Sequence, residues 1–320
     1  MRICRFQHTH GAAAGFYDEQ RIVPLAAAAV VYAEATGERL DLPEDDDLLA
    51  LLPPSGPALA AAKRLSDWVE RQGDQLPSSA QLQTAGVELL VPIPRPNKMF
   101  LLAGNYAKHI EEGGGVAAER AETFPYVFMK PPTTTLTDPG KPVRIPADSP
   151  AAIDWELELA VVIGRRAKAV KEADALTFVA GYTVVNDISN RKFKPNPVRQ
   201  TREKDKFFDW LHGKWHDSFC PCGPCIASAD AIADPQGLTL QLSVNGERKQ
   251  DSTTGHQIFP VAAVIEFISS FVTLEPGDII STGTPSGVGN ASGTYLKPGD
   301  RVEAAIGSIG TLVSPIVAET

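Results

Sequence analysis

The chain has 320 residues, 43% of them hydrophobic and 22% charged, enough apolar material for a full-sized core, which excludes wholesale disorder. Its 30 Lys and Arg against 39 Asp and Glu leave a formal charge of −9, so no basic field exists to condense on phosphates or anionic lipid. No apolar run reaches membrane-spanning length, the opening MRICRFQHTHGAAAGF lacks a signal-peptide core, and the four cysteines do not make a disulfide-scaffold spacing. A cytoplasmic globular protein is expected, with neither nucleic acid nor membrane as partner.

In chain order, RICRFQ is strand-like and precedes Ala-rich and Leu-rich segments of helical spacing. PALAAAKRLSDWVERQ carries a partial apolar stripe through Leu59, Leu65, Trp68 and Val69. VPIPRPNK resists both regular structures and marks a linker near residues 88–97. Beyond it the reading turns mostly β. KMFLLA, YVFMK and GYTVVND are short runs, LTLQLSVNGERK is a hairpin turning at Asn245-Gly246, and PVAAVIEFISSF is a helix of about three turns. The charged, Pro-containing stretch from Lys192 to Lys206 reads as a surface loop. Many short strands with Gly and Pro turns predict an α+β, β-rich fold with a curled or barrel-like core.

DWELELAVVIG is the most informative stretch. At strand period, Glu156 and Glu158 share one face with Ala160 and Val162, while Trp155, Leu157 and Leu159 take the other. Read alone, this is an amphipathic strand with its acids in water. Continued, both faces turn apolar, and two neighbouring buried carboxylates need a cation or a proton between them. Oxygen-only ligands favour a hard divalent ion, Mg²⁺ first, with Mn²⁺ and Ca²⁺ as alternatives. Asp187, closing YTVVND, is either a third ligand or a turn and capping residue.

GNYAKHIEEGGG predicts one short helix capped by Asn105 and ended by three glycines, with His109 and Glu112 on one face. A carboxylate beside imidazole fixes its tautomer and raises its basicity, as a water-activating base requires; the alternative is an exposed surface pair. The GGG run also suits a lid that closes over substrate. His212, His216, Cys220, Cys222 and Cys225 raise zinc as an alternative metal, but CPCGPC reads better as a tight structural turn. Lys214 is a candidate fixed cation. STGTPSGVGNASG fits neither a dinucleotide nor a P-loop pattern and reads as turns or as a backbone ledge for a ligand.

Together, NYAKH, KPP from Lys130, DWELELAVVIG, VVNDISNR, GKWHDSFCPCGP, GERKQDST and TGTPSGVG resemble the fumarylacetoacetate hydrolase superfamily, in its acylpyruvate hydrolase branch. The resemblance implies a rolled mixed sheet over residues 93–320, behind a small variable leading domain over 1–92, and a homodimer. It implies Glu156, Glu158 and Asp187 as metal ligands, and His109 with Glu112 as the water-activating pair. Lys214 becomes a catalytic lysine, and Arg191, Thr284, Lys130, Gln250 and Ser218 become substrate-binding residues. Trp155 departs from the commoner Tyr, and Lys194 stands where many members place a glutamine. The implied reaction is metal-dependent hydrolysis of a carbon–carbon bond in an anionic β-dicarbonyl 2-oxo acid, passing through a metal-bound enolate. Decarboxylation, isomerisation and 2-oxopent-4-enoate hydration are alternatives on the same site, and a catalytically silent binding protein is a third reading.

Overall fold

The structure, a computed structural model, describes residues 1–9, 11–43 and 46–319. The leading segment holds β1 (Arg2–His8), β2 (Gly11–Tyr17), β3 (Arg21–Pro24), α1 (Leu25–Thr36), α2 (Leu48–Leu51), α3 (Pro57–Gln72), β4 (Leu82–Gln83) and β5 (Leu89–Leu90). Next come β6 (Met99–Ala103), α4 (Ala107–Glu112), β7 (Tyr126–Met129), α5 (Pro132–Thr135), β8 (Leu136–Thr137) and β9 (Val143–Ile145). The centre of the chain supplies β10 (Ile153–Asp154), β11 (Leu157–Ile163), α6 (Glu172–Ala175), β12 (Val179–Asn186), β13 (Ser189–Asn190), α7 (Asp205–His212) and β14 (Cys220–Ser228). It closes with β15 (Thr239–Val244), β16 (Glu247–Thr253), α8 (Val261–Phe271), β17 (Ile279–Ser281), α9 (Gly289–Ser292), β18 (Arg301–Ile306) and β19 (Gly310–Ala318).

Twelve strands form one sheet in the order β4-β3-β2-β1-β14-β12-β11-β17-β6-β7, with β5 on β1 and β8 on β14. A second sheet runs β16-β15-β18-β19-β9, and β10 pairs with β13 alone. Both large sheets are open paths, so among the described residues the core is rolled rather than a closed barrel. Residues 1–92 are stitched into the main sheet where Arg2 and Ile3 of β1 pair with Ala227 and Ile226 of β14. No helix among the described residues is long and apolar enough to cross a membrane.

The sheet divides two hydrophobic clusters, and β11 shows why. Leu157, Leu159, Val161 and Ile163 enter one cluster while Ala160 and Val162 enter the other, as the two-residue period of a strand requires. A strand covered on both faces places its flanking acids in the interior.

GAAAGFY forms β2, because Gly11 and Gly15 weaken a helix and pairing with β1 along its length and with β3 from Gly15 to Tyr17 supplies hydrogen-bond partners. A Cβ on Gly15 would lie 2.8 Å from Ile22 Cγ2, so the strands meet only because a glycine is there. CPCGPC is not a turn but the buried strand β14, entered in register with β12 across a bulge between Tyr182 and Val184. Its Cys220 and Cys222 lie in one cluster and Cys225 in the other, so strand alternation separates the thiols that a zinc site would need together. The stretch after Lys192 is a loop only as far as Lys204; Asp205–His212 is helical, held by Arg199, which bonds Asp205 Oδ2 at 2.9 Å and Asp209 Oδ2 at 2.6 Å.

Candidate active site

Glu156, Glu158 and Asp187 converge between the start of β11 and the end of β12, all buried, with one oxygen from each lying within 4.8 Å of the others. Local folding explains the convergence. Leu157 of β11 pairs with Asn186 of β12, and Asn186 Oδ1 accepts from Glu156 N–H at 2.9 Å. Asp187 N–H in turn donates to Glu156 O at 2.8 Å. The two acidic segments are thus locked in register where their strands begin and end.

Each carboxylate has different company. Glu156 Oε1 pairs with Arg191 Nη2, and its Oε2 accepts from Lys214 Nζ at 2.8 Å. Burial pushes its carboxyl up, but the Lys214 and Arg191 charges outweigh this and hold it well below the usual range. Among the described residues no cation pairs with Glu158; its Oε2 accepts from Ser281 Oγ at 2.6 Å and Gly283 N–H at 2.9 Å. Burial, reinforced by the Asp187 and Glu156 charges, pushes its carboxyl up to about 8. Asp187 Oδ2 accepts from Lys214 Nζ at 2.5 Å, while Lys130 Nζ lies against Oδ1 without hydrogen-bond geometry.

Glu158 Oε1 and Asp187 Oδ1 therefore remain buried without a hydrogen bond. An unsatisfied buried carboxylate oxygen is costly. Glu158 Oε1 is such an oxygen, and Asp187 Oδ1 has only the Lys130 charge against it; in an oxygen-only trio this fits a hard divalent cation, and these three residues are the group that would hold it.

Lys214 spends all three donors, on Glu156, Asp187 and Ser189 Oγ at 2.9 Å, beneath the rings of Phe128 and Trp210. Arg191 spans Glu156 and Asp154, bonding Asp154 Oδ2 through Nε at 2.8 Å. His109 Nδ1 lies 2.8 Å from Glu112 Oε1 on α4, and Glu112 Oε2 accepts from Gly287 N–H at 2.8 Å. Both side chains are 19% exposed, so this pair sits at the rim of the buried cluster. A cavity of about 850 Å³ runs outward from Arg191 along Lys192, Lys194 and Asn290 to Trp210.

The remaining candidates are buried and bonded to protein. Gln250 accepts from Leu157 N–H at 3.0 Å and donates to Thr284 Oγ1 at 2.8 Å and Pro285 O at 2.9 Å, tying the β16 hairpin to β11 and to the TGTP turn. Lys130 Nζ donates to Ile188 O at 2.9 Å and Phe219 O at 2.6 Å. Ser218 Oγ accepts from Arg144 N–H at 2.8 Å. Asn105 does not cap α4, whose N-cap is Tyr106. Its amide instead bridges Phe259 and Thr282, donating to Thr282 O at 2.8 Å and accepting from Phe259 N–H at 2.8 Å. The sequence reading passed over Asp154, Asn186, Ser281 and Gly283. Asp154 was within reach of the two-residue strand period back from Glu156, whereas Ser281 at the end of β17 and Gly283 just after it lie more than a hundred residues away, with no local signal.

The family model described as fumarylacetoacetate (FAA) hydrolase C-terminal matches residues 98–317, and one described as Rv2993c-like, N-terminal matches residues 1–54. The chain belongs to the fumarylacetoacetate hydrolase family, a family of enzymes. It is 39% identical over 239 residues to oxaloacetate tautomerase fahd2, mitochondrial, of Xenopus laevis, covering 74% of this chain and 70% of that one. Among solved structures it is similar to maleylpyruvate hydrolase from Sphingobium sp. SYK-6 in complex with manganese (II) ion and pyruvate. That likeness has a TM-score of 0.71 at 28% identity and covers both chains fully. It is also similar to 5-carboxymethyl-2-hydroxymuconate delta-isomerase from Mycobacterium smegmatis, with a TM-score of 0.69 at 30% identity over the full length of both.

Proposed function

We propose that this enzyme is a divalent-metal-dependent hydrolase that cleaves a carbon–carbon bond in a β-dicarbonyl 2-oxo acid of the acylpyruvate type. The observation that carries the reading is the buried carboxylate trio, within which Glu158 Oε1 has no hydrogen-bond partner. Glu156, Glu158 and Asp187 would hold the ion, Mg²⁺ or Mn²⁺, which when bound supplies Lewis-acid polarisation of a carbonyl oxygen. The ion and pyruvate named with the maleylpyruvate hydrolase relative support this assignment.

The chain's own groups divide the remaining work. Glu112 accepts the Nδ1 proton of His109 and leaves Nε2 as the base that takes a proton from water. The water oxygen adds to the distal carbonyl carbon, the adjoining carbon–carbon bond breaks with its electron pair left on the pyruvate methylene, and that carbon takes up the proton. Lys214 keeps Glu156 and Asp187 in register and maintains positive charge beside the developing anion. Arg191 and Thr284 meet the substrate carboxylate, while Lys130, Gln250 and Ser218 brace the walls.

A second reading, tautomerisation of the same 2-oxo acids with no water attack, is favoured by the 39% identity to an oxaloacetate tautomerase. Product analysis separates the two. With Mn²⁺, an acylpyruvate is expected to yield two acids, and His109→Ala is expected to slow this about 10²–10⁴-fold. Loss of oxaloacetate enol absorbance with no acid released from any acylpyruvate would leave tautomerisation as the function. A cytoplasmic location accords with four free, buried cysteines.

A further inference from the structure

Asp154 belongs to none of the roles above, yet it is fully buried and its two oxygens accept four hydrogen bonds. Oδ1 takes Trp155 N–H at 2.8 Å and Gly289 N–H at 2.6 Å; Oδ2 takes Asn290 N–H at 3.0 Å and Arg191 Nε at 2.8 Å. Four donors on four acceptor sites fix a carboxylate in one orientation. Two of these donors come from the turn that begins α9, and one comes from the guanidinium whose other arm touches Glu156.

The same turn reaches the opposite side of the site. Trp155 Nε1 donates to Gly287 O at 3.1 Å, and Gly287 N–H donates to Glu112 Oε2, whose other oxygen faces His109. The turn has no slack, since a Cβ on Gly287 would lie 2.1 Å from Lys249 O and one on Gly289 would lie 2.1 Å from Thr294 O. By contrast, α4 is six residues long and has no side-chain cap, so its acid and imidazole take their place from this tether.

We propose that Asp154 is a positioning residue that sets the Glu112–His109 pair relative to the carboxylate trio, acting through Arg191 on one side and the Gly287–Asn290 turn on the other. The proposal rests on reading His109 as the proton-handling group. Asp154→Asn keeps the shape but turns an amide N–H₂ toward Arg191 and the Asn290 N–H, so the clamp opens on one side.

The first readout is the His109 side-chain ¹⁵N spectrum of the metal-free protein. Wild type is expected to show one tautomer, protonated at Nδ1, and Asp154→Asn a mixed population, although the two residues share no contact. In the Mn²⁺-loaded enzyme, kcat is expected to fall about 10²-fold with KM changed less than about threefold, as for a misplaced catalytic group. Asp154→Asn and Glu112→Gln should then be non-additive in kcat. A folded Asp154→Asn protein with an unaltered His109 spectrum, or an additive cycle, would overturn the proposal. If Asp154→Asn fails to fold, Trp155→Phe removes the neighbouring tether to Gly287 and must shift the same spectrum, or the proposal fails. Retained hydrolysis in His109→Ala would instead sink the functional reading and leave the spectroscopic result to stand by itself.

Discussion

With its carboxyl pushed up to about 8 from an ordinary 4.5, Glu158 keeps a proton in the folded protein that the unfolded chain has already released. The folded state therefore binds more protons across that window, and stability falls as pH rises through it. Metal-free protein is expected to lose Tm steadily between pH 5 and 8, and Mn²⁺ to restore it with the largest gain at the alkaline end, where no proton competes. Differential scanning fluorimetry checks both trends. Glu158→Gln should flatten the slope and weaken Mn²⁺ binding by more than about a hundredfold in calorimetry, beyond the loss typical of a residue behind the ligands. Glu156 and Glu158 were legible because DWELELAVVIG forces its acids into an interior. The compensating charges of Arg191 and Lys214 were visible as residue types, but their pairing with particular oxygens is set by tertiary packing.

Among the elements, β14 shows most clearly where local reading fails. Pro and Gly in CPCGPC argue for a turn, yet β12 on one side and β8 on the other pull the segment into the sheet and bury it. Burial pushes the Cys220 and Cys225 thiols up to about 12, and raises Cys4 and Cys222 as well. None of the four is expected to react with a thiol reagent at pH 8 until denaturant is added; a fast-reacting thiol in native protein would contradict this placement. The β15–β16 hairpin was legible because Asn245 and Gly246 both take positive φ, 52° and 81°, as a two-residue turn demands. Gly246→Ala meets no neighbouring atom, so its cost should be backbone strain alone, about 1 kcal/mol by urea titration. The helix α3 followed from its apolar stripe, whereas β2 did not, since alanines carry little strand signal of their own.

For the molecule as a whole, the leading ninety residues are more than an appendage in composition. They extend the main sheet through β1 and contribute Ile3, Phe16, Leu48, Leu65 and Trp68 to the second hydrophobic cluster. A fragment covering 93–320 would expose that face of β14, and it is expected to aggregate where the full chain elutes as one species on size exclusion. At the other end of the sheet, β7 has no outer partner strand among the described residues and stands beside Phe124, Tyr126 and Phe271, each more than half exposed.

The placement of β11 has a consequence in time as well as in space. Its amides are bonded on both sides, to β12 and to β17, whereas α4 is a single short turn at the rim. On transfer to heavy water, protection should last longest beside the acidic trio and vanish first around the imidazole. The anchoring half of the site and the helix that carries its proton-handling group would then exchange on different clocks.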